Sequence, residues 1–262
     1  MEEKMDLLLK NGLVVTENEC KRVDIAVKNG KIAGLLERGS KTCCSEKEID
    51  CQGKVILPGA IDTHSHFFEP GEPSKYRDDF YTATMAAAAG GYTTCIEMPQ
   101  SIPPVVNKEA FLLKKKLATE KAVVDFALWG GLVPSSLDKI KELKEEGCVA
   151  FKAFTSDAGP DYEMCSDYDL LEGMKIVKAV GGLVGIHAEN DSICRKMTEY
   201  YRGMKTICPE YHEASRPWYA ELEAVSRCIL WSRITECPVM ICHLSIPEGA
   251  EQIKKEKEAG NK

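Results

Sequence analysis

The chain has 262 residues, of which 44% are hydrophobic, so it can bury a substantial core and an intrinsically disordered protein is excluded. Its net charge of −7 argues against a nucleic-acid partner, because it offers no basic surface to phosphates. No apolar run reaches the length of a membrane span, and the acidic start of the chain is unlike a signal peptide. We therefore expect a globular, cytoplasmic protein without membrane contact, whose twelve cysteines are reduced thiols.

The first part of the chain, residues 1–54, alternates short apolar runs with turns. Two Asn-Gly pairs, Asn11-Gly12 and Asn29-Gly30, are flanked by alternating apolar residues. Asn-Gly is a strong short-range signal for a tight hairpin, because both residues tolerate positive φ angles. The segment therefore predicts a small antiparallel β module.

From residue 55 to residue 262, apolar strands alternate with helical stretches, which is typical of βα units around a parallel sheet. The predicted strands are VILPGAIDTHSHF, TTCIEMP, VVDFALWGGL, VAFKAF, LVGIHAE and PVMICHLS. A closed (β/α)8 barrel has eight such units. The pattern predicts an α/β fold of the TIM-barrel type with about six βα units, and hence a fragment, an incomplete gene product or one part of a larger assembly.

Four of the five histidines lie at the C-terminal ends of predicted strands, where the active sites of such barrels are found. His64 and His66 are two residues apart on a strand, so both side chains can point to one metal ion. His187 ends the fifth predicted strand and His243 the sixth. Taken alone, the first pair could equally be ordinary polar strand residues. We place His212 in a solvated loop.

Lys152 is unusual because it lies in the middle of the apolar strand VAFKAF. Burial disfavours an ammonium group, and a neutral amine can react with carbon dioxide to form an anionic carbamate that bridges two cations. The alternative is a lysine whose ammonium reaches solvent at the end of the sheet. Together with the histidines, Lys152 offers nitrogen and carboxylate-like oxygen ligands, which suit two zinc ions and hydrolytic chemistry.

The order of these residues resembles the cyclic-amidase branch of the amidohydrolase superfamily. The stretches AAAAGGYTTCIEMP, FKAF, IHAEN, SRPWYAELEAVSRCI and HLSIPEGAEQI are similar to those of allantoinases in order and spacing. The resemblance implies two divalent metal ions, one bound by His64 and His66 and the other by His187 and His243. It further implies that Lys152 is carbamylated, bridges the two ions and serves as a catalytic residue.

The resemblance also implies a domain organisation and a substrate. Residues 1–54 would be the N-terminal part of a small β-sandwich and residues 55–262 the barrel domain, in a homotetramer that binds a small cyclic ureide. The expected reaction is the hydrolysis of allantoin to allantoate. In the family, an aspartate on the eighth strand completes the first metal site and shuttles the proton. This sequence lacks it, so we expect the polypeptide alone to be inactive or nearly so.

Several sequence features separate the members of this branch. Dihydroorotases carry an arginine two residues after the second histidine, where this chain has Phe68, although allantoinases usually have a polar residue there. Hydantoinases and dihydropyrimidinases carry a tyrosine five residues after the lysine, where this chain has Asp157. Ser156, a candidate substrate contact, and the motif Glu69-Pro70-Gly71 look more like allantoinases.

Three alternatives to an allantoinase stay open. A hydantoinase or dihydropyrimidinase would share the metals and open a different ring. A non-catalytic scaffold, as in the collapsin-response proteins, would have lost metal ligands that this chain retains. An inactive remnant would be consistent with an incomplete barrel.

Overall fold

The computed structural model describes residues 4–39, 44–67, 69–71, 78–204 and 208–262. The chain divides into two compact units, Met1–Ala60 and Ile61–Lys262. Within the described ranges, no helix is both long enough and apolar enough to cross a membrane.

The first unit is built from short strands. They are β1 (Met5–Lys10), β2 (Leu13–Val15), β3 (Cys20–Lys28), β4 (Lys31–Glu37), β5 (Ser45–Asp50) and β6 (Val55–Ile56). They form a six-stranded sheet in the order β5-β1-β3-β2-β6, with β4 paired to β3. The predicted antiparallel module is only partly correct, because β1 pairs in parallel with β5, and β2 in parallel with β6.

The two Asn-Gly pairs have different roles in this sheet. Asn29-Gly30 joins β3 to β4 with φ angles of 51° and 70°, so the hairpin predicted there is confirmed. The hairpin predicted at Asn11-Gly12 is wrong. Here β1 and β2 both pair with β3, and residues 10–12 face residues 23–24, which is a β-bulge. Asn11 has a φ angle of 65° at this bulge, and its amide N–H donates to the buried Asp24 carboxylate at 2.8 Å.

The rest of the described chain alternates strands with helices. The elements are β7 (Ala60–Ser65), α1 (Phe80–Ala89), β8 (Tyr92–Glu97), α2 (Lys108–Lys121), β9 (Asp125–Leu128), β10 (Gly130–Gly131), a 3-10 helix (Pro134–Lys139), α3 (Ile140–Glu145), β11 (Phe151–Phe154), α4 (Asp167–Ala179), β12 (Val184–His187), α5 (Asp191–Arg202), α6 (Glu210–Ala214), α7 (Trp218–Thr235), β13 (Val239–Ile241) and α8 (Pro247–Glu258). Two sheets result, in the orders β7-β8-β9 and β10-β11-β12-β13. Pairing is parallel between β8 and β9 and throughout the second sheet, which confirms the predicted α/β fold.

The predicted strand VILPGAIDTHSHF is divided in the structure. Val55–Ile56 pairs with β2 in the first unit, and β7 begins at Ala60. Pro58 lies in the interruption and has no amide N–H to contribute to a strand ladder, which accounts for the break. His64 therefore lies in the short strand β7, and His66 follows the end of that strand.

Trp129, between β9 and β10, connects the two sheets. Its amide N–H donates to the carbonyl oxygen of Glu97 at 3.0 Å, and the next amide, of Gly130, donates to Ala150 at 2.9 Å. Its indole Nε1 donates to the carbonyl oxygen of Thr63 in β7 at 3.2 Å. Gly185 in β12 leaves room for the ring, because a Cβ atom there would lie 2.7 Å from it. One buried side chain thus positions strands of both sheets.

An ion pair between Glu97 and Lys114 is buried in the core, with both side chains 0% exposed. The Lys114 ammonium also donates to the carbonyl oxygen of Met98 at 2.6 Å, and the Glu97 carboxylate accepts from the amide N–H of Phe67 at 3.1 Å. Desolvation lowers the pKa of Lys114, while the Glu97 charge raises it. The pair connects α2 to the ends of β7 and β8.

This pair gives a prediction about stability. The substitution Lys114→Met leaves the Glu97 carboxylate buried without its cation, which costs about 3–5 kcal/mol of unfolding free energy. The matched control is Lys116→Met in the same helix, because its pair with Glu120 is exposed and contributes about 0–1 kcal/mol. Urea unfolding measures both variants. Equal losses in the two variants would contradict the assignment.

Candidate metal centre

The structure brings the four predicted histidines together at the C-terminal ends of three strands. The Nε2 atoms of His64 and His66 lie 3.2 Å apart, at the end of β7. His187 Nδ1 and His243 Nε2 also lie 3.2 Å apart. His187 is the last residue of β12, and His243 follows β13. The two pairs adjoin, because the ring centroids of His64 and His243 are separated by 5.4 Å. His212 lies elsewhere in the chain, exposed in the short helix α6 rather than in the predicted loop.

The spacing within each pair fits a shared cation. Two nitrogen ligands of a tetrahedral zinc ion, each about 2.0–2.1 Å from the metal, lie about 3.3 Å apart. The observed separation is 3.2 Å in both pairs. Within the described ranges, no three His, Cys, Asp or Glu side chains are arranged to hold one ion. Each pair therefore needs ligands of another kind to complete a tetrahedral shell.

Lys152 is the candidate for that further ligand. Its side chain is 0% exposed, which excludes the alternative of an ammonium that reaches solvent. Among the residues that the structure describes, its Nζ has no nitrogen or oxygen atom as a hydrogen-bond partner, and it lies 4.7 Å from the centroid of the Phe154 ring. Desolvation lowers the pKa of Lys152, although the neighbouring Cys242 thiol opposes the shift. A lowered pKa shifts the buried amine towards the neutral form that carbamate formation requires.

Three of the four clustered histidines favour the neutral form that binds metals. Desolvation, followed by the positive charge of Lys152, lowers the pKa of His64 and of His66 to about 4. Desolvation also lowers the pKa of His243, with further contributions from His187 and Lys152. At neutral pH these imidazoles therefore keep a lone pair free for a cation.

His243 has an unusual backbone conformation. Its φ angle is 38°, in the left-handed region that non-glycine residues rarely adopt. The turn is held on both sides, since the amide N–H of Cys242 donates to Ile186 at 2.9 Å and that of Ser245 donates to the Glu221 carboxylate at 2.8 Å. Such strain is retained where the surroundings fix it, and it is commonest at functional sites.

Glu189 lies beside His187, and nothing in the sequence analysis assigned it a role. Its carboxylate oxygen Oε2 is 2.6 Å from His187 Nε2 and 3.4 Å from the hydroxyl of Ser156. Arg216 lies on the other carboxylate oxygen at 3.7 Å. Glu189, Ser156 and Arg216 line a cavity of about 320 Å³, and Arg195 also contributes to its wall. The sequence signal was a carboxylate two residues after a strand-end histidine, so that both could point to one side.

The structure describes some of the residues that distinguish the members of the cyclic-amidase branch. Phe68 lies outside the described residues. Asp157 is engaged in local contacts, since its amide N–H donates to Asp191 at 3.1 Å and its carboxylate accepts from Gly159 at 2.9 Å. Glu69 accepts from the first amide of α1 at 2.8 Å. The hydroxyl of the buried Tyr162 donates to the carbonyl oxygen of Lys152 at 2.9 Å.

The comparison with known families agrees with this geometry. The model of the Amidohydrolase family matches residues 55–259. The chain belongs to the amidohydrolase family. It is 36% identical to the allantoinase of Escherichia coli (strain K12) over 261 residues, which cover 97% of this chain and 56% of that enzyme. The chain thus spans about half the length of the curated relatives that it matches.

Solved structures of the same family are similar to this chain. The L-hydantoinase (dihydropyrimidinase) from Arthrobacter aurescens has a TM-score of 0.91 at 32% identity, covering 98% of this chain and 57% of its own. The dihydropyrimidinase from Brevibacillus agri has a TM-score of 0.87 at 27% identity, covering 98% and 56%. These similarities confirm the predicted allantoinase-like amidohydrolase and its α/β fold of the TIM-barrel kind.

The lowered histidine pKa values predict how the stability of the metal-free chain depends on pH. Unfolding returns His64 and His66 to a pKa near 6.5 from about 4, so the unfolded chain binds more protons between these values. Stability is therefore fully present above pH 6.5 and falls as the pH drops towards 4. Thermal unfolding of the double variant His64→Asn, His66→Asn should show a weaker pH dependence, whereas His212→Asn should keep that of the wild type. An unchanged pH dependence in the double variant would refute this origin.

Proposed function

We propose that this chain forms the metal-binding part of a hydrolase that opens cyclic amides, with allantoin as the substrate and allantoate as the product. The observation that carries the proposal is the arrangement of two histidine pairs, each with a nitrogen separation of 3.2 Å, near the buried Lys152. Family membership and the 36% identity to Escherichia coli allantoinase support it. The chain spans 56% of that relative. The proposed activity is therefore that of the complete active site, which includes any residues that this chain does not contribute.

The proposed roles follow from the donor atoms. His64 and His66 would hold one zinc ion, and His187 and His243 the other. Lys152 would react through its neutral Nζ with carbon dioxide, forming an N–C bond and releasing one proton. The resulting carbamate has two oxygen donors, enough to bridge two cations, so that each ion would have three protein ligands and an open position for water. Bound divalent ions lower the pKa of water and polarise a carbonyl oxygen, which the hydrolysis of an unreactive amide requires.

A second candidate is a hydantoinase or dihydropyrimidinase activity. The TM-score of 0.91 to the Arthrobacter aurescens enzyme favours it. Two observations argue against it. Asp157 occupies the position at which hydantoinases and dihydropyrimidinases carry a tyrosine. The hydroxyl of Tyr162 donates its hydrogen bond to the backbone carbonyl oxygen of Lys152. Ser156, close to Glu189 in the cavity, is the proposed substrate contact for the ureide.

Other features remain predictions of the sequence. They include a barrel of eight units of which about six are present here, the small β-sandwich, the homotetramer and the cytoplasmic location. The scaffold alternative is disfavoured because all five proposed ligand residues are present.

The metal content of Lys152 variants tests the proposed site directly. With zinc and ¹³C-labelled bicarbonate, we expect two ions per chain by elemental analysis and a carbamate signal by ¹³C NMR. Lys152→Ala should lose the carbamate signal and at least one ion, because the shared anionic ligand is gone. Lys175→Ala, which removes an exposed lysine, is the matched control and should retain both. Equal zinc content and an equal carbamate signal in Lys152→Ala would disprove the bridge.

The substrate is tested by ring opening of allantoin, hydantoin and dihydrouracil. We expect the chain alone to be inactive or nearly so. The assay is therefore repeated after adding, as a second polypeptide, the part of Escherichia coli allantoinase that this chain does not match. Fastest opening of allantoin supports the proposal, and a preference for hydantoin or dihydrouracil supports the second candidate. Tight zinc binding without opening of any ring, under both conditions, would indicate a scaffold.

A further inference from the structure

Glu189 is an acidic side chain in contact with an imidazole ring of the histidine cluster. Its carboxylate is 18% exposed, and Oε2 lies 2.6 Å from His187 Nε2, the length of a strong charge-assisted hydrogen bond. The other ring nitrogen of His187, Nδ1, faces His243 Nε2 at 3.2 Å. The two nitrogens of one ring are therefore directed at a carboxylate and at the candidate metal position.

The backbone holds Glu189 in this place independently of the histidine. The hydroxyl of Thr155, at the end of β11, donates to the carbonyl oxygen of Glu189 at 2.8 Å and accepts from its amide N–H at 3.0 Å. The amide N–H of Thr155 donates to the carbonyl oxygen of His187 at 3.1 Å. One buried threonine thus fixes the backbone of both residues, which places the two side chains next to each other.

We infer that Glu189 is a positioning residue, which holds the proton of His187 on Nε2 and so leaves Nδ1 as the metal-binding atom. A carboxylate that carries no proton can only accept a hydrogen bond, so the imidazole must be the donor at Nε2, and a ring that binds a cation must do so through its other nitrogen. The lone pair is then on Nδ1, on the side of His243. The inference rests on the proposed function, because a role in metal binding requires that His187 and His243 bind a cation. Partners of this kind orient metal-binding histidines, and their loss typically costs about 10–100-fold in metal affinity.

The competing explanation is that Glu189 serves only as an ion-pair partner for Arg216. The distances disfavour it, since Arg216 lies 3.7 Å from Oε1, against 2.6 Å between Oε2 and the imidazole. Arg216 is also 36% exposed, and exposed pairs contribute little to stability. An ion-pair role predicts that Arg216→Gln and Glu189→Gln have the same effects. A positioning role predicts that they differ.

The tautomer of His187 can be measured without any metal. In the ¹⁵N-histidine-labelled, metal-free chain, long-range ¹H–¹⁵N NMR should show His187 protonated on Nε2. Glu189→Gln should change this tautomer or mix it with the other, because an amide can donate as well as accept. Arg216→Gln and Glu199→Gln, which changes another carboxylate of the same cavity, should retain the wild-type tautomer. An unchanged tautomer in Glu189→Gln would overturn the inference.

Zinc affinity gives the second readout, by competition with a chromophoric chelator. Glu189→Gln should weaken one of the two binding steps about 10–100-fold and leave the other unchanged. If Glu189→Gln does not fold, Glu189→Asp replaces it, because the shorter side chain cannot maintain the 2.6 Å contact. Equal affinities in wild type and variant would overturn the positioning role while leaving the proposed function intact. Failure of the wild type to bind zinc would instead refute the proposed function, and the tautomer measurement would still decide the role of Glu189.

Discussion

The burial of Lys152 is the constraint on which the rest of the site depends. An ammonium group with no nitrogen or oxygen hydrogen-bond partner among the described residues and no exposed surface is costly in an apolar strand, so the amine is driven towards a neutral form. The same positive charge and the same desolvation lower the pKa of His64 and His66 to about 4. The cluster therefore disfavours the positively charged forms of His64, His66 and Lys152. Divalent cations with an anionic bridge would satisfy all of these groups at once.

The fold supplies this arrangement through parallel strands whose C-terminal ends meet at one edge. Neighbouring parallel strands bring residues together that are far apart in the sequence, as with His187 and His243. The buried tryptophan Trp129 and the ion pair of Glu97 with Lys114 then hold β7, the strand of the first histidine pair, against its neighbours. Rigidity of this kind is what keeps ligand atoms at metal-binding distances.

The sequence predicted those features that follow from local pattern or from a local contradiction. A lysine inside VAFKAF conflicts with its apolar neighbours, so Lys152 can be recognised as a candidate functional residue from the sequence alone. Features that depend on tertiary pairing were not visible. The φ > 0 conformation that Asn-Gly favours serves a hairpin at Asn29-Gly30 and a bulge at Asn11-Gly12, and only the partner strand decides between them. Likewise, Glu97 and Lys114 read as an ordinary acid and an ordinary helix lysine until packing places them together in the core.

The central claim is that two cations occupy this cluster and share a modified Lys152. The most direct test is a crystal structure of the zinc-loaded protein with anomalous diffraction data at the zinc edge. The account predicts two anomalous peaks, one bound by His64 and His66 and one by His187 Nδ1 and His243, with carbamate density on Lys152 Nζ reaching both. A single peak, peaks remote from these histidines, or an unmodified lysine between two ions would contradict it.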